Sequence, residues 1–360
     1  MDKCLNYIEN RMILPLTYDG DFFSFISEYM DKYRNDLADL GAELGKETID
    51  KIKMVSLAVS SAVEEYFKGN PALAYENFRQ VLDSIESELT GLNVVKNPST
   101  FFRLRENNQG HSHSFSRGEM FHIPFELRSM VSTQRFSIPG LPSIYLGSTL
   151  YVCWEEMNRP NLKNLNCSLY KSTEGLTLID LGIPPLYVAK YSYHLLEGEA
   201  NKKKVEELLK TYFILWPLIA ASSVKVNNKH HPFKPEYIIP QLLLQFVTNE
   251  KEILGIRYLS VNTSNSVNNF PLHHNFVFPV KTVAEKGHCK ILNDYFELTP
   301  GIPWQVFEIH NSLGLPSGET NNHVMELAIE GMPPIQYGRT DFGKFERLLE
   351  EKVSTGKVNI

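Results

Sequence analysis

Residues 135–156 constrain the fold more than any other part of this chain. Pro139 and Gly140 signal a turn, and the apolar run at residues 143–146 predicts a short strand. Residues 147–149 then break the strand and can cap a helix that begins near Leu150. The segment is therefore predicted to form a loop, a strand and a helix in immediate succession.

The predicted helix carries two adjacent glutamates. At 3.6 residues per turn Glu156 shares a face with Val152 and Cys153, so it belongs to the inward, mostly apolar stripe, whereas Glu155 is offset beside Tyr151. A carboxylate on such a stripe needs a partner. Glu156 either pairs with a basic neighbour or points outward at the helix end, or it lines a polar cleft. The residues alone leave both alternatives open.

This segment resembles the core motif of the RES-domain family, which is named for an arginine, a glutamate and a serine and is best known from bacterial toxin–antitoxin pairs. In this resemblance Arg135 is the family arginine, Tyr145 is the tyrosine that ends the strand, and Glu156 is the glutamate that closes the helix. The segment matches without a gap.

The resemblance covers roughly residues 98–280, with one departure next to the arginine. The short toxins carry Gly-Gly before it and Trp-Asn after it, where this chain has Thr133-Gln134 and Phe136-Ser137. The other matching segments are residues 101–105, an aromatic-arginine strand, residues 120–125, and residues 237–241, 255–260 and 275–279, which bring in the serine.

RES domains look like the ADP-ribosyltransferase fold, an α+β fold with a split mixed sheet around an NAD-binding cleft. The resemblance therefore implies an enzyme that degrades NAD by cleaving the nicotinamide–ribose bond, as a glycohydrolase or a phosphorylase, and acts as a bacterial toxin or defence effector. One alternative is an ADP-ribosyltransferase that modifies a protein target. The other is an inactive binding module.

The resemblance also implies roles for particular residues. Cleavage of this bond passes through a ribosyl cation, which Glu156 is expected to stabilise while it binds a ribose hydroxyl. Arg135 and Arg103 are expected to hold phosphates through bidentate contacts, and Tyr145 to stack on the substrate or shape the pocket. The expected catalytic residues are Glu156, Arg135, Tyr145 and Ser260, and the expected NAD-binding residues are Arg103, Arg135, Tyr145, Ser260 and Asn275.

Composition narrows the other possible functions. The 360 residues can bury a sizeable core and suggest two domains, or one elaborated domain. A net charge of −6, with no basic run longer than residues 202–204, argues against a nucleic-acid partner. The four cysteines are far apart, lack C-x-x-C spacing and follow no signal peptide, which indicates a reducing, cytoplasmic location. The longest apolar stretch, residues 212–221, is much shorter than the ~20 residues of a membrane span.

Several histidines raise the question of a metal site. His111 and His113 are spaced like ligands on a strand, but a lone H-x-H is a weak signal and no H-E-x-x-H helix accompanies it. We therefore expect no metal, and we expect His122 and His274 to form hydrogen bonds near the cleft. The other histidines considered were His230, His231 and His273.

Residues 1–95 predict a separate helical region. Apolar residues recur there at three- and four-residue steps, and Asn70 and Pro71 suit the cap and first position of a helix. We expect a boundary at residues 91–100, with a helical region over residues 1–95 and a RES domain with a C-terminal extension over residues 96–360. The helices could pack on that domain, form a homo-oligomer, or bind an antitoxin or regulatory protein. One predicted stripe consists of Ile52, Val55, Val59, Val63 and Phe67.

The rest of the chain mixes strands and helices without strict alternation, which favours the α+β class. The predicted strands are residues 176–181, 255–261, 275–280 and 303–309, and the predicted helices are residues 203–214, 239–246 and 342–352.

Overall fold

The computed structural model describes residues 1–93, 95, 97–107, 114–197, 201–261, 269–270, 272–312, 325–329 and 331–360. Its α-helices, in chain order, are α1 (Asp2–Arg11), α2 (Phe22–Asp36), α3 (Gly41–Leu44), α4 (Lys46–Phe67), α5 (Pro71–Ser84), α6 (Glu86–Leu89), α7 (Arg117–Met120), α8 (Leu150–Glu156), α9 (Pro185–Leu196), α10 (Lys202–Ser222), α11 (Ile238–Asn249), α12 (Lys290–Tyr295), α13 (Trp304–Ser312) and α14 (Asp341–Lys352). Its strands are β1 (Thr100–Glu106), β2 (Ser143–Gly147), β3 (Leu165–Ser172), β4 (Leu178–Leu181), β5 (Gly255–Leu259), β6 (His274–Pro279), β7 (Phe296–Leu298), β8 (Ile302–Pro303), β9 (Glu326–Leu327) and β10 (Ile335–Gln336).

The elements confirm the predicted α+β class, because a helical N-terminal region precedes the sheet. Contacts divide the chain into two compact units. The first comprises Met1–Val94, Gln134–Ile138 and Leu178–Val247, and the second comprises Val95–Thr133, Pro139–Thr177 and Thr248–Ile360. The predicted domain boundary at residues 95 and 96 stays a prediction, and these units differ from it because the first one takes in two later segments.

The first unit is built around α10. Residues 212–222 of this helix are all buried, so it needs neighbours on every side. Helices α4, α6 and α9 pack against it. The hydroxyl of Tyr33 in α2 donates to the carbonyl of Phe213 at 2.8 Å, and the indole N–H of Trp216 donates to the hydroxyl of Tyr29 at 3.1 Å. None of the helices in the described ranges is long and apolar enough to cross a membrane.

The N-terminal helices follow the predicted pattern closely. Ile52, Val55, Val59 and Val63 of α4 are buried, whereas Phe67 at its end is 47% exposed, against the prediction. Helix α5 begins at Pro71, as predicted. Asn70 precedes it, but its side chain donates to Glu65 Oε2 at 3.1 Å instead of capping the helix.

The second unit is built on a sheet in which the strands run in the order β5-β6-β2-β1-β3-β7, with β8 also paired with β3. All of these pairs are antiparallel. Helices α8, α13 and α14 cover one face of this sheet. The apolar core under them contains Phe102, Leu104, Leu150, Leu165, Cys167, Leu169, Trp304, Phe307, Phe345, Leu348 and Leu349.

The prediction of a strand over residues 303–309 is wrong, because most of this segment forms α13. Trp304 and Phe307, three residues apart, are both buried and pack against Phe345 of α14, while Ile309 is 67% exposed. Burial at a three-residue step belongs to a helix, and the partner helix that selects it lies far along the chain. The predicted strands at residues 255–261 and 275–280 and the predicted helix at residues 342–352 correspond to β5, β6 and α14.

Deletion of residues 1–95 should make the remaining chain insoluble, because it removes α4 and α6 from the apolar surface of α10 and exposes a large contiguous apolar patch. The measurement is the soluble fraction of the truncated chain after expression, with and without residues 1–95 supplied as a second chain. Recovery only with the second chain is expected. A truncated chain that is soluble by itself and unfolds cooperatively would instead support the boundary predicted at residue 95.

Candidate active site

Helix α8 delivers Glu156 to the site. The Thr149 side chain caps the helix by accepting the Val152 N–H at 3.1 Å, as the residues predicted, and its hydroxyl donates to the Leu272 carbonyl at 3.0 Å. The helix has seven residues and ends at Glu156. Its start is therefore fixed, and so is the place where its last side chain emerges.

Glu156 meets two hydrogen-bond donors from neighbouring strands. The amide Nδ2 of Asn275 in β6 donates to Glu156 Oε1 at 2.9 Å, and the hydroxyl of Ser260, directly after β5, donates to the same oxygen. Glu156 is partly exposed, whereas Ser260 and Asn275 are buried. The structure thus brings Glu156 together with two other predicted site residues, each more than a hundred positions further along the chain.

A glycine lets α8 lie close to β2. A Cβ atom on Gly147 would come within 2.6 Å of both Cys153 Sγ and Val152 Cγ1, which is closer than atoms can approach. The Cys153 thiol also donates to the Phe102 carbonyl at 3.3 Å, and burial raises its pKa to about 12, so it stays neutral in the core. This close approach sets the height of Glu156 above the sheet.

Two half-buried tyrosines share the sheet face of Asn275. Tyr145 pairs with Val277 and lies two residues before Gly147, which pairs with Asn275, so Tyr145 and Asn275 point to the same side. Burial raises the pKa of Tyr145 above its usual value, which keeps the phenol neutral. Tyr258 pairs directly with Asn275. Sequence reasoning gave Tyr258 no role, although its position two residues before Ser260 on a strand could have indicated this face.

Arg103 is not brought together with Glu156. Its neighbour Phe102 pairs with Gly147 on the Asn275 side, so the alternation of β1 turns Arg103 to the opposite face, beside Tyr170. Its Nη1 atom is buried and has no hydrogen-bond partner among the residues that the structure describes. The predicted phosphate contact of Arg103 stays a prediction.

Arg135 belongs to the first unit. It is buried, its Nη1 donates to the Ser222 carbonyl at 3.2 Å, and its guanidinium lies 5.2 Å from the centroid of the Tyr237 ring. These contacts suit a planar guanidinium. The predicted role of Arg135 in binding phosphate stays a prediction.

Glu155 has its own partner. Arg159 turns back with φ of 56°, and its Nη2 and Nε lie 3.0 and 3.1 Å from the two oxygens of Glu155. Glu155 is buried and Glu156 is not, which the helix phase did not predict. The adjacent carboxylates therefore differ in role, since Glu155 closes the turn after α8 while Glu156 meets the polar side chains of the sheet.

His122 and His274, the two histidines expected to form hydrogen bonds near the cleft, belong to the second unit. His122 Nδ1 donates to the Ile123 carbonyl at 2.7 Å, and its Nε2 accepts the Cys289 N–H at 2.7 Å; burial lowers its pKa to about 4. His274 is buried, with its ring edge-on to Phe270 at 4.7 Å. His111 and His113 lie outside the described residues. Within the described ranges no three potential metal ligands converge.

The second unit therefore presents an α+β scaffold with a polar site centred on one carboxylate. Over 364 aligned residues the chain is 31% identical to the protein of Bacillus subtilis (strain 168) named "Putative toxin YopC", and the alignment covers 97% of this chain and 80% of that protein. Identity over this span shows that the chain belongs to the same family as that protein. No protein-family model matches the chain, and neither does any solved structure.

Substitution of Gly147 by alanine should lower the free energy of unfolding by about 1–3 kcal/mol, because the new methyl group forces α8 away from β2. Denaturant unfolding of Gly147→Ala and of the control Gly41→Ala measures this difference. Gly41 has open space around its Cβ position and should tolerate alanine. Equal stabilities of the two variants would contradict the close approach.

Substitution of Arg135 by lysine should lower the melting temperature by several degrees, because lysine cannot reproduce the planar contacts with Tyr237 and Ser222. Arg79→Lys, on the exposed side of α5, is the control. Thermal melts and NAD-binding titrations would be made on the same samples. Unchanged melting with weakened NAD binding would favour the predicted phosphate role over a structural one.

Proposed function

We propose that this protein is a toxin that degrades NAD by breaking the nicotinamide–ribose bond. Its relationship to a Bacillus protein with a toxin name supports the toxin role in general. The NAD chemistry is supported by the resemblance to RES domains. The single observation that carries it is that Ser260 and Asn275 both donate hydrogen bonds to Glu156 Oε1, so that the resemblance's glutamate and serine meet in space.

Ser260 and Asn275, the two donors to Glu156 Oε1 described above, are uncharged, which matters for the chemistry. A hydroxyl and an amide orient the carboxylate without cancelling its negative charge, whereas a lysine or arginine in their place would cancel it. As the bond from ribose C1′ to nicotinamide breaks, its electron pair leaves with nicotinamide and positive charge develops on the ribose. A fixed negative charge beside the ribose lowers the energy of that transition state.

The neighbouring tyrosines fit the same chemistry. Tyr145 and Tyr258 are half-buried on the sheet face that carries Asn275, and Tyr145 remains a neutral phenol at physiological pH. An aromatic ring beside the carboxylate can stack on a planar group such as nicotinamide while its hydroxyl hydrogen-bonds. In this proposal Tyr145 shapes the pocket, and Ser260 and Asn275 keep the carboxylate in its working orientation.

The acceptor for the ribose determines the reaction class. Attack by water or phosphate on C1′ gives a glycohydrolase or a phosphorylase, and attack by a protein side chain gives an ADP-ribosyltransferase. A toxin that drains NAD also needs restraint in its own cell, so the proposal includes a protein partner that inhibits it. Binding of this partner would be detected as a decrease in the rate of NAD turnover when the partner is added.

Replacement of Glu156 by glutamine should lower NAD turnover by about a hundredfold to a thousandfold, because it removes the charge that stabilises the transition state. The protein is incubated with NAD, and nicotinamide, ADP-ribose products and labelled protein are separated and quantified. The unmodified protein is expected to release free nicotinamide and to produce no labelled protein. Labelled protein would indicate a transferase, and the absence of any product would overturn the proposal.

Glu155→Gln is the matched control, since it makes the same change one residue away on the same helix. It should lower the melting temperature by loosening the Arg159 pair and leave turnover close to that of the unmodified protein. Comparable losses of turnover in both variants, with unchanged circular dichroism, would show that the carboxylate has been assigned wrongly.

A further inference from the structure

A buried carboxyl group contacts the start of the helix that ends in Glu156. Glu346 of α14 is 2% exposed, and its Oε1 accepts the Leu150 N–H at 2.6 Å and the Tyr337 hydroxyl at 2.5 Å. Leu150 is the first residue of α8. The proposed NAD chemistry uses neither Glu346 nor Tyr337, so their buried polar contact needs another explanation.

The two residues are held firmly by their surroundings. A Cβ on Gly343 would lie 2.5 Å from the Tyr337 carbonyl oxygen, so the first turn of α14 presses against the 3₁₀ helix Tyr337–Arg339. Thr340 caps α14 by accepting the Gly343 N–H at 3.1 Å. Tyr337 is fully buried, like Phe345 next to Glu346. The pair Glu346 and Tyr337, called here the α8 clasp, is therefore rigid.

Among the residues that the structure describes, no cation lies against the α8 clasp. The titratable groups that act on Glu346 or are acted on by it are Tyr337, Cys153 of α8, Cys167 of β3 and Glu350 of its own helix. Glu346 forms no ion pair within the described part of the chain. Burial raises its pKa from the usual 4.5 to about 8, so at neutral pH it is mostly an uncharged carboxyl group.

We propose that Glu346 is a positioning residue for Glu156 and acts through α8, an inference that rests on the proposed function of Glu156. The helix spans about 10 Å at 1.5 Å per residue, so a tilt of about 10° at its start moves its end by about 1.7 Å. A misplacement of about 1 Å in an active site can reduce the rate about a hundredfold. The clasp and the Thr149 cap fix the start of α8, while Ser260 and Asn275 meet its end.

The charge on Glu346 determines whether the start of α8 stays fixed. The neutral carboxyl group accepts both hydrogen bonds inside the apolar core. Ionisation places a negative charge in that core with no described cation beside it, and the stronger bonds that Leu150 and Tyr337 then donate offset only part of the desolvation cost. Admitting water between α14 and α8 lowers the remaining cost. The start of α8 then loosens, and Glu156 loses its orientation as the pH rises through about 8.

Rates of nicotinamide release between about pH 6 and pH 9.5 test this inference. The unmodified protein should lose about tenfold in kcat above pH 8, with a smaller change in KM, because the residue affected orients the catalytic group. Glu346→Gln should remove this loss, because its amide oxygen accepts the same two bonds and does not ionise. The same decline of kcat in both proteins would overturn the inference.

Tyr337→Phe is the second variant, and it shifts the pKa of Glu346 instead of removing the ionisable group. The Tyr337 hydroxyl lowers the pKa of Glu346, so its removal should move the decline of kcat to a higher pH. A decline at an unchanged pH in this variant would contradict the inference. Thermal melting adds a check on folding: since the folded pKa exceeds the unfolded one, stability should fall from about pH 4.5 to about pH 8 in the unmodified protein, and this contribution should be absent in Glu346→Gln.

Hydrogen exchange separates this inference from the proposed function, because it needs no NAD. Amides of α8, corrected for intrinsic exchange, should lose protection between about pH 7 and pH 9 in the unmodified protein but not in Glu346→Gln. If this pattern is observed and no nicotinamide is released, the proposed function is refuted, while the role of the α8 clasp in fixing the start of α8 is confirmed. Equal protection of α8 in the two proteins at both pH values would overturn the proposed role of the α8 clasp.

Discussion

The contact between α8 and β2 is the constraint on which the candidate site depends. Because Gly147 has no side chain, the helix lies close against the strand, and its final residue comes within hydrogen-bond distance of β6. The antiparallel pairing of β5 with β6 then places Ser260 beside Asn275. A side chain at residue 147 would move α8 and so change the distances from Glu156 to both donors, whereas the pairing of β5 with β6 sets the position of Ser260 relative to Asn275.

The parts of the fold that were predicted correctly are those with local causes. The turn at Gly140, the strand β2, the Thr149 cap and the start of α8 near Leu150 follow from residues within a few positions of one another, whereas the end of α8 at Glu156 was implied by the family resemblance. The meeting of Glu156 with Ser260 was expected from the family resemblance alone. The sheet register that brings residues 156, 260 and 275 together cannot be predicted from periodicity or composition.

Two of the remaining differences have long-range causes, and one, at Glu155, has a local cause. Residues 303–309 were predicted to form a strand, but Phe345 packs against both Trp304 and Phe307, and burial at this three-residue step requires a helix. Glu155 is buried because Arg159 adopts positive φ and turns back to it. Positive φ is uncommon for arginine, so the sequence does not predict this turn. Arg103 could not be assigned to a sheet face before the register of β1 with β2 and β3 was known.

The bond from Glu346 to the start of α8 joins residues 196 positions apart in the chain. During synthesis, β2 and α8 leave the ribosome long before α14 exists, so the helix that ends in Glu156 first forms with its amino end held by the Thr149 cap but not by Glu346. A nascent or prematurely terminated chain would therefore lack an ordered carboxylate even if its sheet had begun to assemble. Under the proposed function, this order of synthesis delays NAD degradation until α14 has been translated.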